Sequence, residues 1–266
     1  MRTSGKLAMI GAVGGLLLAG SGAARALTID GVTFTPGTTF AVGSFYQNAP
    51  STPGASLTAV GRIDELNNST AFCAGCELDF YARNFTQTGL VTNPNGSVSG
   101  AFSGGQVTFY VAPAGTFNPN AGSMAAAIAS ATSGTDFLDL TGHAHMSSVA
   151  GGTPTLAASV ATSGNSVNAF EETQLDVAAG PGAANAAFNT NSINDGIGGF
   201  ADLLLTSSTN NIFVPLNFAL AGSSDVRGVA QGSTPAPEPA AAALLGTSLL
   251  GLAALRRRRR RKPSRP

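Results

Sequence analysis

The stretch Val107-Thr108-Phe109-Tyr110-Val111 decides the fold class, because its large apolar side chains alternate with a threonine and a tyrosine. Successive side chains of a β-strand point to opposite faces of a sheet, so one face of this stretch is apolar. Such alternation is typical of a half-buried strand. The link just before it, residues 102–106, contains Ser103-Gly104-Gly105, and we predict that it forms a hairpin turn.

Similar runs, rich in Val, Thr, Phe and Leu, occur along the chain between clusters of Gly, Pro, Asn and Ser. Short strands at this spacing favour an all-β fold, either an antiparallel β-sandwich or a barrel-like sheet stack. We predict one short helix at 124–131, because it is rich in alanine, and a polar loop at 185–195. The predicted strands are 27–34, 40–46, 57–66, 77–85, 97–102, 107–112, 137–144, 156–161, 170–177, 201–206 and 214–221.

Charge is distributed unevenly along the 266 residues, although 14 basic and 14 acidic side chains balance. Residues 1–26 carry a net charge of +3, residues 27–234 carry −10 and residues 235–266 carry +7. The central segment has 13 acids, three arginines, no lysine, and 45 serines and threonines. Its lack of basic charge argues against nucleic-acid binding, since lysine and arginine neutralise phosphates. The chain therefore divides into a leader, a body and a tail.

The leader, residues 1–26, has the three parts of a secretory signal peptide. A positively charged start precedes an apolar run over residues 7–20, and the small residues Ala24 and Ala26 follow. This order is typical of export signals, and signal peptidase accepts only small side chains at those two positions. We predict a signal helix that is cleaved after Ala26, which leaves residues 27–234 as an exported β-rich domain.

The tail, residues 235–266, begins with Pro237-Glu238-Pro239, continues with a largely apolar run over 240–255, and has six consecutive arginines at 256–261. As a helix the apolar run measures about 24 Å, at ~1.5 Å per residue. That length is marginal for a hydrocarbon core of about 30 Å. The arginines resist translocation and stay on the cytoplasmic side. The two prolines keep the segment around Glu238 extended at the outer interface, where a peptidase can read it.

This tail resembles the PEP-CTERM sorting signal of Gram-negative bacteria, in which a Pro-Glu-Pro motif, an apolar transmembrane helix and an arginine cluster follow in that order. The resemblance implies processing by an exosortase, a membrane-embedded cysteine peptidase. It also implies transient anchoring in the inner membrane, followed by delivery to the cell surface or extracellular matrix. The chain would be the substrate of this chemistry and not its catalyst.

The body also resembles floc-forming PEP-CTERM proteins, in the segments 72–78 and 140–143. That resemblance implies a role in biofilm and floc formation together with exopolysaccharide or other matrix components. An alternative is a secreted carbohydrate-binding or hydrolytic protein that uses the same sorting signal. Exposed aromatic platforms or two facing carboxylates would favour this alternative.

Cys73-Ala74-Gly75-Cys76 contains the two cysteines of the chain. In an exported protein they most simply form a disulfide, and Gly75 permits the tight turn between them. A thioredoxin-like redox site is disfavoured, because a strand-like segment follows the motif.

His143 and His145 are a competing pair of candidate ligands. At a spacing of two on a strand, both imidazoles would point to one face. With Cys73 and Cys76 they would complete a four-ligand zinc site, and Asp136 and Asp139 precede them as possible supporting partners.

The acids form no recognised catalytic pattern, and no Gly-x-Ser-x-Gly, His-Glu-x-x-His or phosphate-loop motif occurs. Members of adjacent pairs such as Glu171-Glu172 point to opposite faces of a strand. The segment 191–196 has part of a calcium-loop pattern, but Ile193 interrupts its oxygen ligands. We predict a protein without enzymatic activity and without a required cofactor, with calcium or zinc as the open alternatives.

Overall fold

The computed structural model describes residues 26–34, 37–212, 214–215 and 218–231. The predicted signal peptide, apart from Ala26, lies outside these residues. So do the sorting motif at Pro237, Glu238 and Pro239 and the apolar helix at 240–255. Within the described residues, no helix is long and apolar enough to cross a membrane.

Strands dominate the described part of the chain, and this confirms the all-β prediction. The strands include one large antiparallel sheet. The helix predicted at 124–131 is also present. In chain order the elements are β1 (Leu27–Ile29), β2 (Val32–Phe34), β3 (Gly37–Gln47), β4 (Ser56–Leu66), β5 (Cys76–Thr92), β6 (Val98–Pro113), α1 (Met124–Ala131), β7 (Thr135–His143), β8 (Leu156–Ser163), β9 (Ser166–Val177), α2 (Asn185–Phe188), β10 (Ile193–Asn194), β11 (Phe200–Ala201), β12 (Leu203–Asn210) and β13 (Leu220–Ala230).

Nine strands pair in one antiparallel sheet, which runs from β12 through β13, β3, β4 and β5 to β6. β6 pairs with β8 through residues 98–102 and with β7 through residues 106–111. Both of these strands pair with β9, and β9 pairs with β12. The hydrogen-bonded ladder therefore returns to its starting strand.

One face of this sheet, called the inner face here, carries the main hydrophobic core. Its largest members include Phe45, Phe80, Phe85, Phe109 and Leu175, all of them buried. Phe80 and Phe85 are an odd number of residues apart on β5, and a register shift between β4 and β5 at Asn84, where φ is +61°, lets both rings face the core. Burial of these side chains supplies most of the driving force for folding.

The opposite, outer face is covered at one place by α1. Ala127 and Ala131 of this helix pack against Val60 of β4, together with Phe117 and Phe218. Ser123 caps the helix, since its side chain accepts a hydrogen bond from the N–H of Ala126. Small alanines let the helix lie close to the sheet, and the covered strands β4 and β5 become buried on both faces.

The hairpin predicted at residues 102–106 is wrong. β6 continues through this segment, with φ +71° at Gly104 and +100° at Gly105. A Cβ on Gly105 would lie 2.1 Å from the Phe85 ring, so glycine is needed for close packing. The two glycines bend the strand where its partner changes from β8 to β7, so they bend the chain without reversing it.

Several other boundaries differ from the sequence prediction, among them the end of β5, which lies at Thr92 instead of residue 85. The strand predicted at 214–221 begins only at Leu220 and continues to Ala230, because Pro215 lacks an N–H and accepts a turn hydrogen bond from Phe218. The predicted loop at 185–195 contains α2 and β10. The run 27–34 is interrupted by a turn at Asp30-Gly31, where φ is +47° and +83°.

Candidate functional site

The two cysteines are joined in a disulfide at the start of β5, whose first residue is Cys76. Gly75, between them, has φ +75°, which glycine adopts without steric cost. Cys73 forms an isolated bridge with Val32 of β2, and the N–H of Thr33 donates to the carbonyl of Phe72. The disulfide therefore fixes the turn that packs on the β1–β2 hairpin.

The histidines lie far from the disulfide along the sheet. Cys76 pairs with Pro113 of β6, whereas Thr141, two residues before His143, pairs with Gln106. From Gln106 to Pro113 a strand extends about 23 Å, at ~3.3 Å per residue. Both sulfurs are held in the disulfide, so the four candidate ligands do not form the zinc site considered above. Among the described residues, no group of three or more His, Cys, Asp or Glu side chains is arranged to hold a metal.

His143, at the end of β7, lies between two carboxylates. Its Nδ1 is 2.7 Å from Oδ2 of Asp176, and its Nε2 is 3.2 Å from Oδ2 of Asp195. Register places Asp176 here, because His143 pairs with Gln174 of β9 and Asp176 is the next residue on the same face. Asp195 comes from the loop after β10, where its Oδ1 accepts hydrogen bonds from the N–H groups of Ile197 and Gly199.

The electrostatics of this group favour a charged imidazole. Burial acts to lower the pKa of His143, but the hydrogen bonds and negative charges of Asp176 and Asp195 outweigh it and raise the pKa. Burial acts to raise the pKa of Asp195, yet the N–H groups of Ile197 and Gly199, together with His143, lower it to about 2. The group is thus an ion-paired clamp that ties the 194–199 loop to β7 and β9.

His145 points to a different carboxylate. Its side chain is fully buried, its Nδ1 lies 3.3 Å from the backbone oxygen of His143, and its Nε2 lies 3.6 Å from Oε1 of Glu172. A backbone carbonyl only accepts hydrogen bonds, so Nδ1 must carry the proton. In the described part of the chain His143 thus binds two carboxylates, whereas Nε2 of His145 has no hydrogen-bond partner. His145 lies beyond the end of β7, so the strand spacing that predicted both imidazoles on one face does not apply to it.

The suggested supporting role of Asp136 and Asp139 for the histidines is wrong. The Asp139 carboxylate accepts from the N–H of Gly182, and its own N–H donates to the side chain of Asn185. The carbonyl of Asp136 accepts from the N–H of Ala183. Both aspartates therefore hold the segment between β9 and α2.

Exposed apolar side chains surround the His143 group. Met146, Ile197 and Phe200 are 55%, 48% and 52% exposed, and the N–H of Met146 donates to the carbonyl of Asp195. Phe170, on the outer face of β9, is also exposed. This mixture of carboxylates and exposed apolar groups makes the outer surface near β9 the candidate contact surface of the body.

Glu171 and Glu172 point to opposite faces of β9, as predicted. Glu171 lies on the inner face and is buried, where it accepts hydrogen bonds from Nε2 of Gln47 and from the hydroxyl of Ser207 at 2.6 Å. Burial raises the pKa of Glu171, and these two hydrogen bonds only partly oppose it. The alternation of the strand predicted an inward-facing glutamate, but not the cavity that it lines.

A cavity of about 410 Å³, including the open space at its mouth, lies beside Glu171 and is called the polar cavity here. Gln47, Asn48, Gln87 and Glu171 supply its polar side chains. The rest of its wall is formed by Ala49, Pro50, Leu57, Leu90, Val98, Gly100, Phe102, Ala158, Val160, Ala169 and Leu220. Few polar groups in a mainly apolar wall are typical of small-molecule sites.

Asp79, on the outer face of β5, is a second buried acid that sequence reasoning missed. It is 0% exposed, and neither carboxyl oxygen has a hydrogen-bond partner. Burial first, and then the neighbouring charge of Glu77, raise its pKa to about 8, while Arg62 opposes the rise. Glu77 instead accepts from the N–H groups of Gly115 and Phe117, so it anchors the loop before α1.

Comparisons of the chain with protein-family models, curated proteins and solved structures found no match. No family is therefore assigned, and the resemblance of residues 235–266 to a sorting signal remains a prediction.

Proposed function

We propose that this chain is an exported, exosortase-processed protein of the cell surface or extracellular matrix, which contributes to biofilm or floc formation with exopolysaccharide. The observation that carries the proposal is the tail, in which Pro237-Glu238-Pro239, an apolar run and six arginines follow in order. Signal peptidase and exosortase are its processing partners, and the membrane holds it only before processing.

The disulfide between Cys73 and Cys76 supports an exported body, because such bonds persist mainly in oxidising compartments. The charge pattern agrees with this interpretation. Removal of the leader and tail leaves residues 27–234 with a net charge of −10. Such a body is repelled by anionic polymers unless cations bridge the two or hydroxyl groups make the contacts.

Polar contacts of this kind are available on the outer face of the sheet. Ser208 of β12 and Ser223 of β13 are exposed and pair with each other in register. Thr206 lies two residues earlier on the same face, opposite the exposed Asp225. Hydroxyl groups both donate and accept hydrogen bonds, which suits the hydroxyl-rich surface of a polysaccharide.

We also propose that the body is a barrel-like sheet stack and not a sandwich of two separate sheets. The pairing of β9 with β12 supports this architecture, because it links the last strands of the ladder to the first. A closed ladder leaves fewer strand edges for unwanted pairing with other chains, which is an advantage at high local concentration in a matrix.

Gene deletion followed by complementation tests the proposed function. Loss of the chain should leave polysaccharide synthesis intact but disperse the cells of a floc-forming host. The full-length chain should restore aggregation, whereas a chain that ends at Thr234 should be exported but fail to restore it. Unchanged aggregation after deletion, or full rescue by the truncated chain, would contradict the proposal.

The second candidate function is that of a carbohydrate-binding protein that uses the same sorting signal. The exposed rings of Phe170 and Phe200 favour it. Asp176 and Asp195 face each other across His143, but the imidazole occupies the space that a glycosidic bond would need. This geometry supports binding more than hydrolysis.

Binding to purified exopolysaccharide distinguishes the two candidates. Carbohydrate binding through stacking predicts that Phe170→Ala and Phe200→Ala each weaken retention on the polymer several-fold. Val91→Ala, a change at an exposed apolar residue near the end of β5, serves as the control. Retention that survives both phenylalanine changes would exclude stacking on these rings.

A further inference from the structure

The polar cavity contains buried acceptors that have no donor. Gln47 and Gln87 are 1% and 2% exposed, and both line the cavity. The Oε1 atoms of both side chains lack a hydrogen-bond partner. A buried acceptor without a donor costs about 1–3 kcal/mol, so these two oxygens are arranged for a partner that carries N–H or O–H groups.

The third polar group of the cavity is a carboxyl group. Glu171 accepts one hydrogen bond at each oxygen, from Gln47 and Ser207. Gln47 belongs to β3, and two strands separate β3 from β9 in the ladder, so this hydrogen bond connects non-adjacent strands over the inner face. It fixes the carboxyl group and the Gln47 amide relative to one another at the cavity wall.

No cationic side chain of the described body neutralises Glu171. Residues 27–234 lack lysine, and their three arginines are placed elsewhere. Arg62 binds Asp64, Arg83 donates to Gln106, and Arg227 is exposed on β13. A buried carboxylate without a counter-charge is disfavoured in an apolar wall, and it is relieved either by taking up a proton or by pairing with a cation that enters the cavity.

We propose that the polar cavity is a binding site for a small organic ammonium ion, whose cationic head pairs with Glu171 and whose apolar body packs against the aliphatic wall. The ammonium N–H groups donate to Glu171 and to the unpartnered Oε1 atoms of Gln47 and Gln87. Leu57, Phe102 and Leu220 contact the apolar part. Leu90, which is 42% exposed, lies at the boundary between the cavity and solvent.

A neutral alcohol would satisfy the amide oxygens but leave the carboxyl group without its counter-charge. An anion would be repelled by Glu171. The proposed selectivity is therefore for amphiphilic amines over alcohols and carboxylates of the same length. This inference is independent of the matrix role, since it rests on the inner face alone.

Calorimetric titration of the full-length chain with n-hexylammonium, 1-hexanol and hexanoate at neutral pH tests the proposal. We expect one equivalent of n-hexylammonium to bind, at least tenfold more tightly than 1-hexanol, and hexanoate not to bind. Nuclear Overhauser contacts from the ligand methyl group should reach Leu57 or Leu220. Equal affinity for amine and alcohol, or contacts only with residues outside the cavity, would overturn the proposal.

Two matched variants locate the charge that is responsible. Glu171→Gln should weaken amine binding at least tenfold, whereas Glu172→Gln, a change at the neighbouring residue on the outer face, should leave it within twofold. Unchanged binding in a folded Glu171→Gln variant would contradict the proposal. If the Glu171→Gln variant does not fold, the relative affinities of the unaltered chain for n-hexylammonium and 1-hexanol still test the proposal. A chain that binds no amine at all would also overturn the proposal.

Discussion

Two cavities of similar size in this body differ in almost every chemical respect. The polar cavity measures about 410 Å³ and contains Glu171 and two glutamines. The other measures about 450 Å³ and is called the apolar cavity here. Its wall is formed by Val32, Phe34, Ala41, Ile63, Leu66, Leu78, Phe109, Phe137, Leu138, Phe188, Leu203, Val226 and Gly228.

Secondary elements outside the nine-stranded sheet account for much of this difference. β2 and α2 contribute Val32, Phe34 and Phe188 to the apolar cavity, and the Phe34 and Phe188 rings lie 5.3 Å apart. Because β2 and α2 cover the apolar cavity with packed side chains, the stability of the fold explains why these residues line it. The polar cavity carries a buried acid that packing alone does not require, so its lining points to recognition. The comparison separates residues kept for folding from residues kept for binding.

The largest expected effect is at the apolar cavity. Phe109→Ala removes a buried ring that contacts Phe80, with centroids 5.5 Å apart, and should cost about 3–5 kcal/mol of stability. Chemical denaturation should show this loss, while Phe200→Ala at an exposed position should change stability by less than about 0.5 kcal/mol. A loss below about 1 kcal/mol for Phe109→Ala would mean that this ring is not part of the folding core.

The next prediction concerns Asp79, a buried acid that has no hydrogen-bond donor, in contrast to Glu171, which has two. The pKa of Asp79 is raised to about 8 from an ordinary value of 3.8, so the stability of the folded chain should fall as the pH rises from about 4 to about 8. Asp79→Asn should remove this fall and stabilise the protein at pH 8 by on the order of 2–4 kcal/mol. Thermal melting across this pH range measures it, and Asp225→Asn on the exposed outer face is the control. Identical pH profiles for Asp79→Asn and the unaltered chain would exclude this account.

A change of the same sign is expected at the polar cavity. Glu171 also has a raised pKa, so its contribution to stability is lost as the pH rises above the ordinary range of a glutamate. The hydrogen bonds from Gln47 and Ser207 support its charged form and partly oppose this loss. Glu171→Gln should therefore be slightly more stable than the unaltered chain at pH 8 and equal to it at pH 4, as measured by thermal melting. A Glu171→Gln variant that is less stable at both pH values would show that the carboxyl group is needed for folding.

The smallest effect lies outside both cavities, at His143. The pKa of His143 is raised in the folded chain, so His143 stabilises the fold fully when the pH is below its ordinary pKa of 6.5. This stabilisation is lost as the pH rises through the higher pKa of the folded state. Asp195, with a pKa of about 2, contributes until the pH falls toward that value. The loop 194–199 should thus be most protected from hydrogen exchange between about pH 4 and 6.5. His143→Gln should flatten this profile above pH 6, and a flat profile in the unaltered chain would contradict the ion-paired clamp.

Local alternation was sufficient to predict most strands of the sheet. Val107 and Phe109 lie in the core, and Glu171 and Glu172 lie on opposite faces of β9, as a period of two requires. Thr108 and Tyr110 are buried as well, so this stretch of β6 is not the half-buried strand that its alternation predicted. Local alternation also failed at Gly104 and Gly105, because a glycine pair is compatible with both a turn and a bend within a strand. The choice depends on Phe85, a distant residue whose ring occupies the space beside Gly105.

The sites were harder to predict than the strands. The spacing of His143 and His145 predicted both imidazoles on one face of a strand, but β7 ends at His143. The carboxylate partners of His143 come from β9 and from the loop after β10. Asp79 lies between Arg62 of β4 and Tyr110 of β6, which pair with it, and the polar cavity depends on how β3, β5 and β9 converge. Such tertiary proximity leaves no local pattern in the sequence.

The central claim is that an exported body reaches the outside without its two terminal segments. Intact-mass and peptide analysis of the protein recovered from the surface or matrix of the native host tests this claim most directly. The account predicts a chain that begins at Leu27 and ends near Pro239, without the arginines at 256–261. Matrix-derived protein that retains those arginines would contradict it.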